Sequence, residues 1–217
     1  FFRWDLEHDD IWQEGAQIDT AFVSAAYNSD RNVLYAMDSE KNRWAVHEID
    51  MTTGKTSNTV AANTFEAPLW DMAYSTYWST EEDPKIYGVY EGTLLMTADP
   101  MDLSTGKEFD MSTTLYERTH GEILLAVANA GYTKYSGKDC ELFYLLDDTG
   151  AVWAMYAYNK NGEMDAYFKY YKSNLREIGF RPDTVLDYQY SSMVVGEDGN
   201  LYVSYFDGTT NVIYHLA

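Results

Sequence analysis

The sequence predicts an all-β fold, a β-propeller of four blades with four antiparallel strands each. Three observations predict it. The phrase "IDMTTGK" at 49–55 returns as "MDLSTGK" at 101–107. Four short apolar runs recur along the chain, each with an aromatic residue directly after its aliphatic anchor. The 217 residues hold 20 Tyr and 6 Trp but only 4 Pro, and flat rings with a polar tip suit the pleated, half-buried surface of a sheet.

The four runs are "VLYAMD" (33–38), "KIYGVY" (85–90), "ELFYLL" (141–146) and "NLYVSY" (200–205). Anchored on Leu34, Ile86, Leu142 and Leu201, they stand 52, 56 and 59 residues apart. Fifteen residues past each anchor lie Ile49, Met101, Ala157 and Leu216, each closing a second apolar run. Twenty past the first three lie Gly54, Gly106 and Gly162. The expectation is a fixed internal register, with length changes confined to loops between units, because hairpin turns pin strand pairing. "IDMTTGK", "MDLSTGK" and "YNKNGE" then read as one turn in three copies. Glycine would supply positive φ, while Asp, Asn, Ser and Thr bond back to local backbone. They carry neither a phosphate-binding glycine pattern nor the alternating ligands of a twelve-residue calcium loop.

Each element follows from this frame. Unit one reads "TAFVSAAY", "VLYAMD", "RWAVHEID" and a weaker run after Gly54. Unit two reads "LWDMAYST", "KIYGVY", "TLLMTAD" and "KEFDMSTT"; unit three reads "ILLAVANA", "ELFYLL", "VWAMYAY" and "MDAYFKYY". Unit four offers "SSMVVGE", "NLYVSY" and "NVIYHLA". In "FFRWDLE", Phe2, Trp4 and Leu6 alternate with charged residues, which is strand periodicity. Pairing 1–7 with the last unit would seal the ring and remove two exposed edges. The whole chain is thus expected to be one domain, with blades at approximately 16–64, 67–115, 121–172 and 188–217 plus 1–7.

These "L-Y-x-x-D … D-x-x-T-G" strand pairs resemble bacterial propeller repeats of the quinoprotein-like and YVTN-like kind. The resemblance implies a propeller, often exported or surface-displayed, and transfers no specific site. Trp44 and Trp153 fall ten and eleven residues from their anchors, so the tryptophan docking pattern of quinone-binding repeats is not reproduced.

The net charge of −20 and a pI near 4.3 oppose phosphate backbones and anionic lipid, which argues against nucleic acid and direct membrane insertion. Cys140 is the single cysteine, which excludes an internal disulfide and a cysteine-pair zinc site. Phe1 in place of an initiator Met suggests removal of an upstream segment. An exported protein is compatible with this, and with the habit that the resemblance implies the expected location is secreted or on a bacterial cell surface.

Two groups of residues could carry function. Carboxylates recur just after each second strand, at Asp38, Glu91, Asp147 and Asp207. Loops at that position share one mouth of a propeller, where a hard cation such as calcium could compensate crowded carboxylates; no cofactor is otherwise expected. The competing reading is ordinary solvated turns. Aromatics crowd two loops: Trp70, Tyr74, Tyr77 and Trp78 around the long first hairpin of unit two, and Tyr132 and Tyr135 in "NAGYTKYSGKD" of unit three. Exposed rings are platforms for sugars or protein partners; packing between blades is the alternative. The four histidines fall at unrelated repeat positions, and no Ser/His/Asp order or nucleophile elbow is present. The leading functional reading is a non-catalytic binding or adhesion module, recognising a glycan or protein through loop aromatics. Its rivals are a carboxylate-dependent glycoside-active enzyme and a structural domain of a larger surface protein.

Overall fold

The structure, a computed structural model, describes residues 2–5, 10–13, 18, 22–38, 45–61, 68–92, 94–110, 123–158, 169–170, 191–206 and 209–216. Every regular element among them is a β-strand, and all strand pairs are antiparallel. A short hairpin comes first, β1 (Phe2–Asp5) with β2 (Asp10–Gln13). Blade I is the meander β3 (Ser24–Asn28), β4 (Val33–Met37), β5 (Ala45–Asp50) and β6 (Lys55–Ala61). Blade II is β7 (Leu69–Tyr74), β8 (Ile86–Tyr90), β9 (Leu94–Asp99) and β10 (Asp102–Asp110). Blade III is β11 (Leu124–Tyr135), β12 (Lys138–Asp147), β13 (Val152–Ala157) and β14 (Lys169–Tyr170). Blade IV has three described strands, β15 (Ser192–Val195), β16 (Leu201–Phe206) and β17 (Asn211–Leu216).

The first strands form the hub. β3 packs on β7, β7 on β11 and β11 on β15, which sets the sheets side by side around a common axis as in a propeller. No comparable packing joins β15 to β3 among the described residues. Apolar side chains fill each gap between blades. Tyr35, Met37 and Val46 meet Leu69, Met72 and Ile86 between I and II. Tyr87 and Val89 meet Phe143, Leu145 and Trp153 between II and III. Tyr144, Leu146 and Val152 meet Leu201, Val203 and Tyr205 between III and IV. A sheet covered on both faces explains why β4 and β8 are buried at every position: each is a continuous apolar run, without the alternation of a one-sided strand.

Several expectations change against this frame. Among the described residues Phe2–Asp5 pairs with Asp10–Gln13 and not with the last blade. Pairing two segments so near in sequence costs far less chain entropy than joining two distant ends. The third anchor is Phe143, one residue later than the repeat spacing suggests. Leu34 and Ile86 face away from the next blade while Tyr35 and Tyr87 face towards it. In blade III it is Phe143 that packs back on Tyr87, at 4.2 Å between ring centroids, and Tyr144 that turns towards blade IV. A one-residue slip exchanges the two faces of a strand, and an unbroken apolar run gives no phase by which to detect it. From Phe143, Trp153 stands ten residues on, the same offset as Trp44 from Leu34.

The internal register is not fixed either. Leu34 pairs with Ile49 and Leu201 with Leu216, as the fifteen-residue step implies. Ile86 pairs instead with Ala98, and Phe143 with Met155, so the hairpins from second to third strand also absorb length changes. The repeated phrase accordingly sits differently in its two copies. In blade I, Asp50 pairs with Lys55, Gly54 takes φ 70°, and Asp50 Oδ1 accepts the Thr52 N–H at 2.7 Å. In blade II that capping role belongs to Asp99, which accepts the Met101 N–H at 2.8 Å. Asp102 then caps a second turn through the Ser104 N–H at 3.2 Å, ahead of a bulge that returns to the ladder at Lys107. Gly106 does not enter the left-handed region.

Candidate functional site

The β11–β12 hairpin is longer than its counterparts because "NAGYTKYSGKD" is strand, not loop. Pairing continues out to Tyr135 with Lys138, and Ser136 and Gly137 turn the chain at φ 50° and 79°. Two successive positive φ angles make the tight turn that matches strand twist. This extension stands beside the long hairpin between Tyr74 and Ile86 of blade II, and the two are locked together by one carboxylate.

That carboxylate is Glu141, on β12 and fully buried. Oε1 accepts the backbone N–H groups of Thr76 at 2.6 Å and Tyr77 at 3.0 Å. It also accepts the Asn129 amide at 2.7 Å, while Oε2 takes the Ser75 hydroxyl at 2.5 Å. A buried carboxylate is tolerated only when its lone pairs are met in this way. These donors, with the Thr76 hydroxyl at 3.2 Å from Oε1, come from the turn of blade II and from β11, so the bonds dock that turn onto blade III. Trp78 completes the joint, with its indole N–H on the Ala157 carbonyl at 3.1 Å.

The docked turn presents its rings in order. The Tyr77 ring lies edge-on to Trp78 at 4.5 Å and tilts against Tyr132 at 4.8 Å. Tyr77 is 37% exposed and Tyr132 51% exposed. The Tyr132 hydroxyl donates to Asp139 Oδ1 at 2.8 Å, and Lys134 Nζ reaches the same oxygen at 3.2 Å. The Tyr132 bond, followed by that of Lys134, holds the Asp139 carboxyl below its usual range. The result is a tyrosine pair at the rim, edged by one Lys–Asp ion pair and fixed from beneath by Glu141.

The other proposed aromatics lie elsewhere. Tyr74 is buried against Tyr35, at 6.2 Å between centroids. Trp70 sits at the opposite end of β7, partly buried between blades. Tyr135 is three residues beyond Tyr132 and therefore on the other face of the hairpin, where it stacks on Tyr156 at 4.2 Å. Of the six rings, Tyr77, Trp78 and Tyr132 come together.

Among the described residues the carboxylates after the second strands do not converge on one mouth, and one of them, Asp147, turns inward to cap its own hairpin. Asp147 is fully buried; Oδ1 accepts the Thr149 and Ala151 N–H groups at 3.0 and 2.9 Å, and Oδ2 accepts the Trp153 indole at 2.8 Å. Burial raises its carboxyl above the usual range despite these donors. Asp38 Oδ2 lies 2.8 Å from His47 Nε2. Glu91 is exposed, at φ 50°. Asp207 lies outside the described residues. Among the described residues no three His, Cys, Asp or Glu side chains come together as a metal site.

Two carboxylates at the centre of these contacts escaped sequence reasoning. Glu141 and Asp71 each interrupt an apolar strand run, in "CELFYL" and "LWDMAY". An acid placed inside a buried strand is itself a signal, because it must find donors or shift its pKa. Asp71 lines the axis; its Oδ2 accepts the Val127 N–H at 2.9 Å, and burial pushes its carboxyl up to about 7.

No protein family matches the chain, and no curated protein does. Among solved structures it is similar to the β-propeller domain of Cps50 (Swd1) from Myceliophteria thermophila, at 14% identity and TM-score 0.49, covering 94% of this chain and 55% of that one. The Dos1 propeller gives 12% identity and TM-score 0.47, covering 98% and 46%. A luciferin-regenerating enzyme gives 8% identity and TM-score 0.49, covering 98% and 64%. The chain thus spans less than two thirds of each of these proteins.

Proposed function

We propose that the chain is a non-catalytic recognition module, a rigid four-bladed scaffold that binds a glycan or a protein segment through its rim tyrosines. In this reading it belongs to an exported or surface protein of a bacterium. The observation that carries it is the Tyr77–Tyr132 pair, solvent-facing yet held by the buried Glu141 clamp. Rings fixed before binding offer contact area with little further entropy to lose.

A glycan array and a peptide library probed with the chain, and with the double variant Tyr77→Ala/Tyr132→Ala, test this. Ligands retained by the wild type should be lost by the variant while its melting curve stays cooperative. Binding that survives the double substitution overturns the reading. A melt in chelator and then in excess calcium, with magnesium as control, tests the proposed cation at the mouth, because a folded-state ligand raises Tm.

The glycoside-active alternative needs two carboxyl groups roughly 5–9.5 Å apart. Asp71 is the one carboxylate among the described residues that line the axial cavities. It supplies half of such a pair.

A further inference from the structure

Two cavities lie end to end along the axis between the first strands, with volumes of about 370 and 460 Å³. Ala25, Asp71 and Ser192 line both, so the Asp71 carboxylate stands where one space meets the other. The larger cavity, at the N-terminal ends of the first strands, is rich in hydroxyls: Ser24, Ser191, Ser192 and Ser204. The smaller one, at their C-terminal ends, is walled mainly by Ala26, Met72, Ala73, Val127 and Met193. Among the described residues neither lining includes a Lys, Arg or His.

A second observation is independent of the carboxylate. Ser191 is 7% exposed, and its buried hydroxyl has no hydrogen-bond partner among the described residues. An orphaned buried hydroxyl costs free energy unless something fills the place beside it. Asp71 itself accepts the Val127 backbone N–H, and among the described residues no cationic side chain stands beside it. A carboxylate and a spare hydroxyl on the wall of one cavity, in a molecule of net charge −20, call for a positive group with several N–H donors.

We propose that this axial site binds an alkylammonium group, with the ammonium at Asp71 and Ser191 and the alkyl chain in the apolar cavity. An ammonium has three donors and needs few oxygens, whereas calcium takes six to eight. The alkyl chain would bury against Ala26, Met72 and Met193, which select for its length. The group can come from a free amine or from a lysine side chain of a protein. This site is separate from the rim tyrosines and stands or falls without them.

The test is calorimetric titration at pH 8.5 with n-butylammonium chloride, Nα-acetyl-lysine amide and calcium chloride as probes. Binding of n-butylammonium, or of the lysine amide, supports the proposal, and the tighter of the two identifies the source. Asp71→Asn should weaken that binding about ten-fold or more, the loss of one charge-assisted contact. Ser191→Ala, which keeps the carboxylate, should weaken it by a smaller factor. As a second readout, the Val127 amide resonance should shift on titration, since its N–H is bonded to Asp71. No binding of either amine overturns the proposal, as does binding that Asp71→Asn and Ser191→Ala both leave unchanged. A calcium response without an amine response overturns it too.

Discussion

Glu141 of blade III accepts the backbone N–H of Tyr77 in blade II at 3.0 Å. A core side chain of one blade thereby sets the position of a surface ring on the next, and links folding stability to the proposed recognition surface. Glu141→Gln keeps the shape but replaces an acceptor oxygen by an N–H₂ that faces donors. The expected cost is about 2–4 kcal/mol, from unsatisfied donors around a lost charge. Urea unfolding measures it; a change under about 0.5 kcal/mol would show that the clamp is dispensable.

The rim pair should couple more strongly than its exposure suggests. Tyr77→Ala and Tyr132→Ala are each expected to be mild, since both rings face solvent. Their double-mutant cycle should return about 0.5–1.5 kcal/mol, the value of a tilted aromatic pair in contact. Strict additivity would mean the rings do not hold one another.

Asp71 makes stability depend on pH in a defined direction. Its folded carboxyl titrates near 7, against roughly 3.9 for an unperturbed aspartate. Ionisation therefore opposes the fold. The penalty is absent well below pH ~4, grows as pH climbs between the two values, and is complete above about 7. Among the described residues Tyr27 and Tyr74 also line that cavity wall, and burial raises the Tyr74 phenol, further from this window. Asp71→Asn should raise Tm relative to wild type by more at pH 8 than at pH 4. Equal differences at both pH values would refute the assignment.

Two glycines separate backbone strain from packing. Gly137 has φ 79° with open space around it, whereas a Cβ on Gly92, at φ 72°, would lie 2.1 Å from Ile123 and 2.8 Å from Trp70. Gly137→Ala should cost about 1 kcal/mol, the conformational penalty alone. Gly92→Ala should cost about 2–4 kcal/mol, because overpacking adds to it. Equal costs in thermal or urea melts would show that the Gly92 neighbours yield freely.

The strands and turns were legible in the sequence because their causes are local. Apolar runs, aromatic residues after an anchor, and Asp or Gly at turns mark where the chain extends and where it reverses. The long hairpin of blade II was legible to the residue, since Tyr74 does pair with Ile86. Which face each side chain takes was not. "ELFYLL" is apolar at five of six positions, so nothing local distinguishes Leu142 from Phe143 as the inward residue; the neighbouring blades decide that. Reading "NAGYTKYSGKD" as loop hid the alternation that parts Tyr132 from Tyr135. The carboxylates of the site were the least legible. Asp147 reads as a loop acid, yet it closes on the Trp153 indole. Glu141 and Asp71 acquire their roles from Tyr77 and Val127, which lie 64 and 56 residues away in the chain. Local sequence determined the elements, through backbone preference and turn chemistry. The tertiary structure decided the sites, because a buried charge takes its meaning from donors that only the packing of separate blades brings within reach.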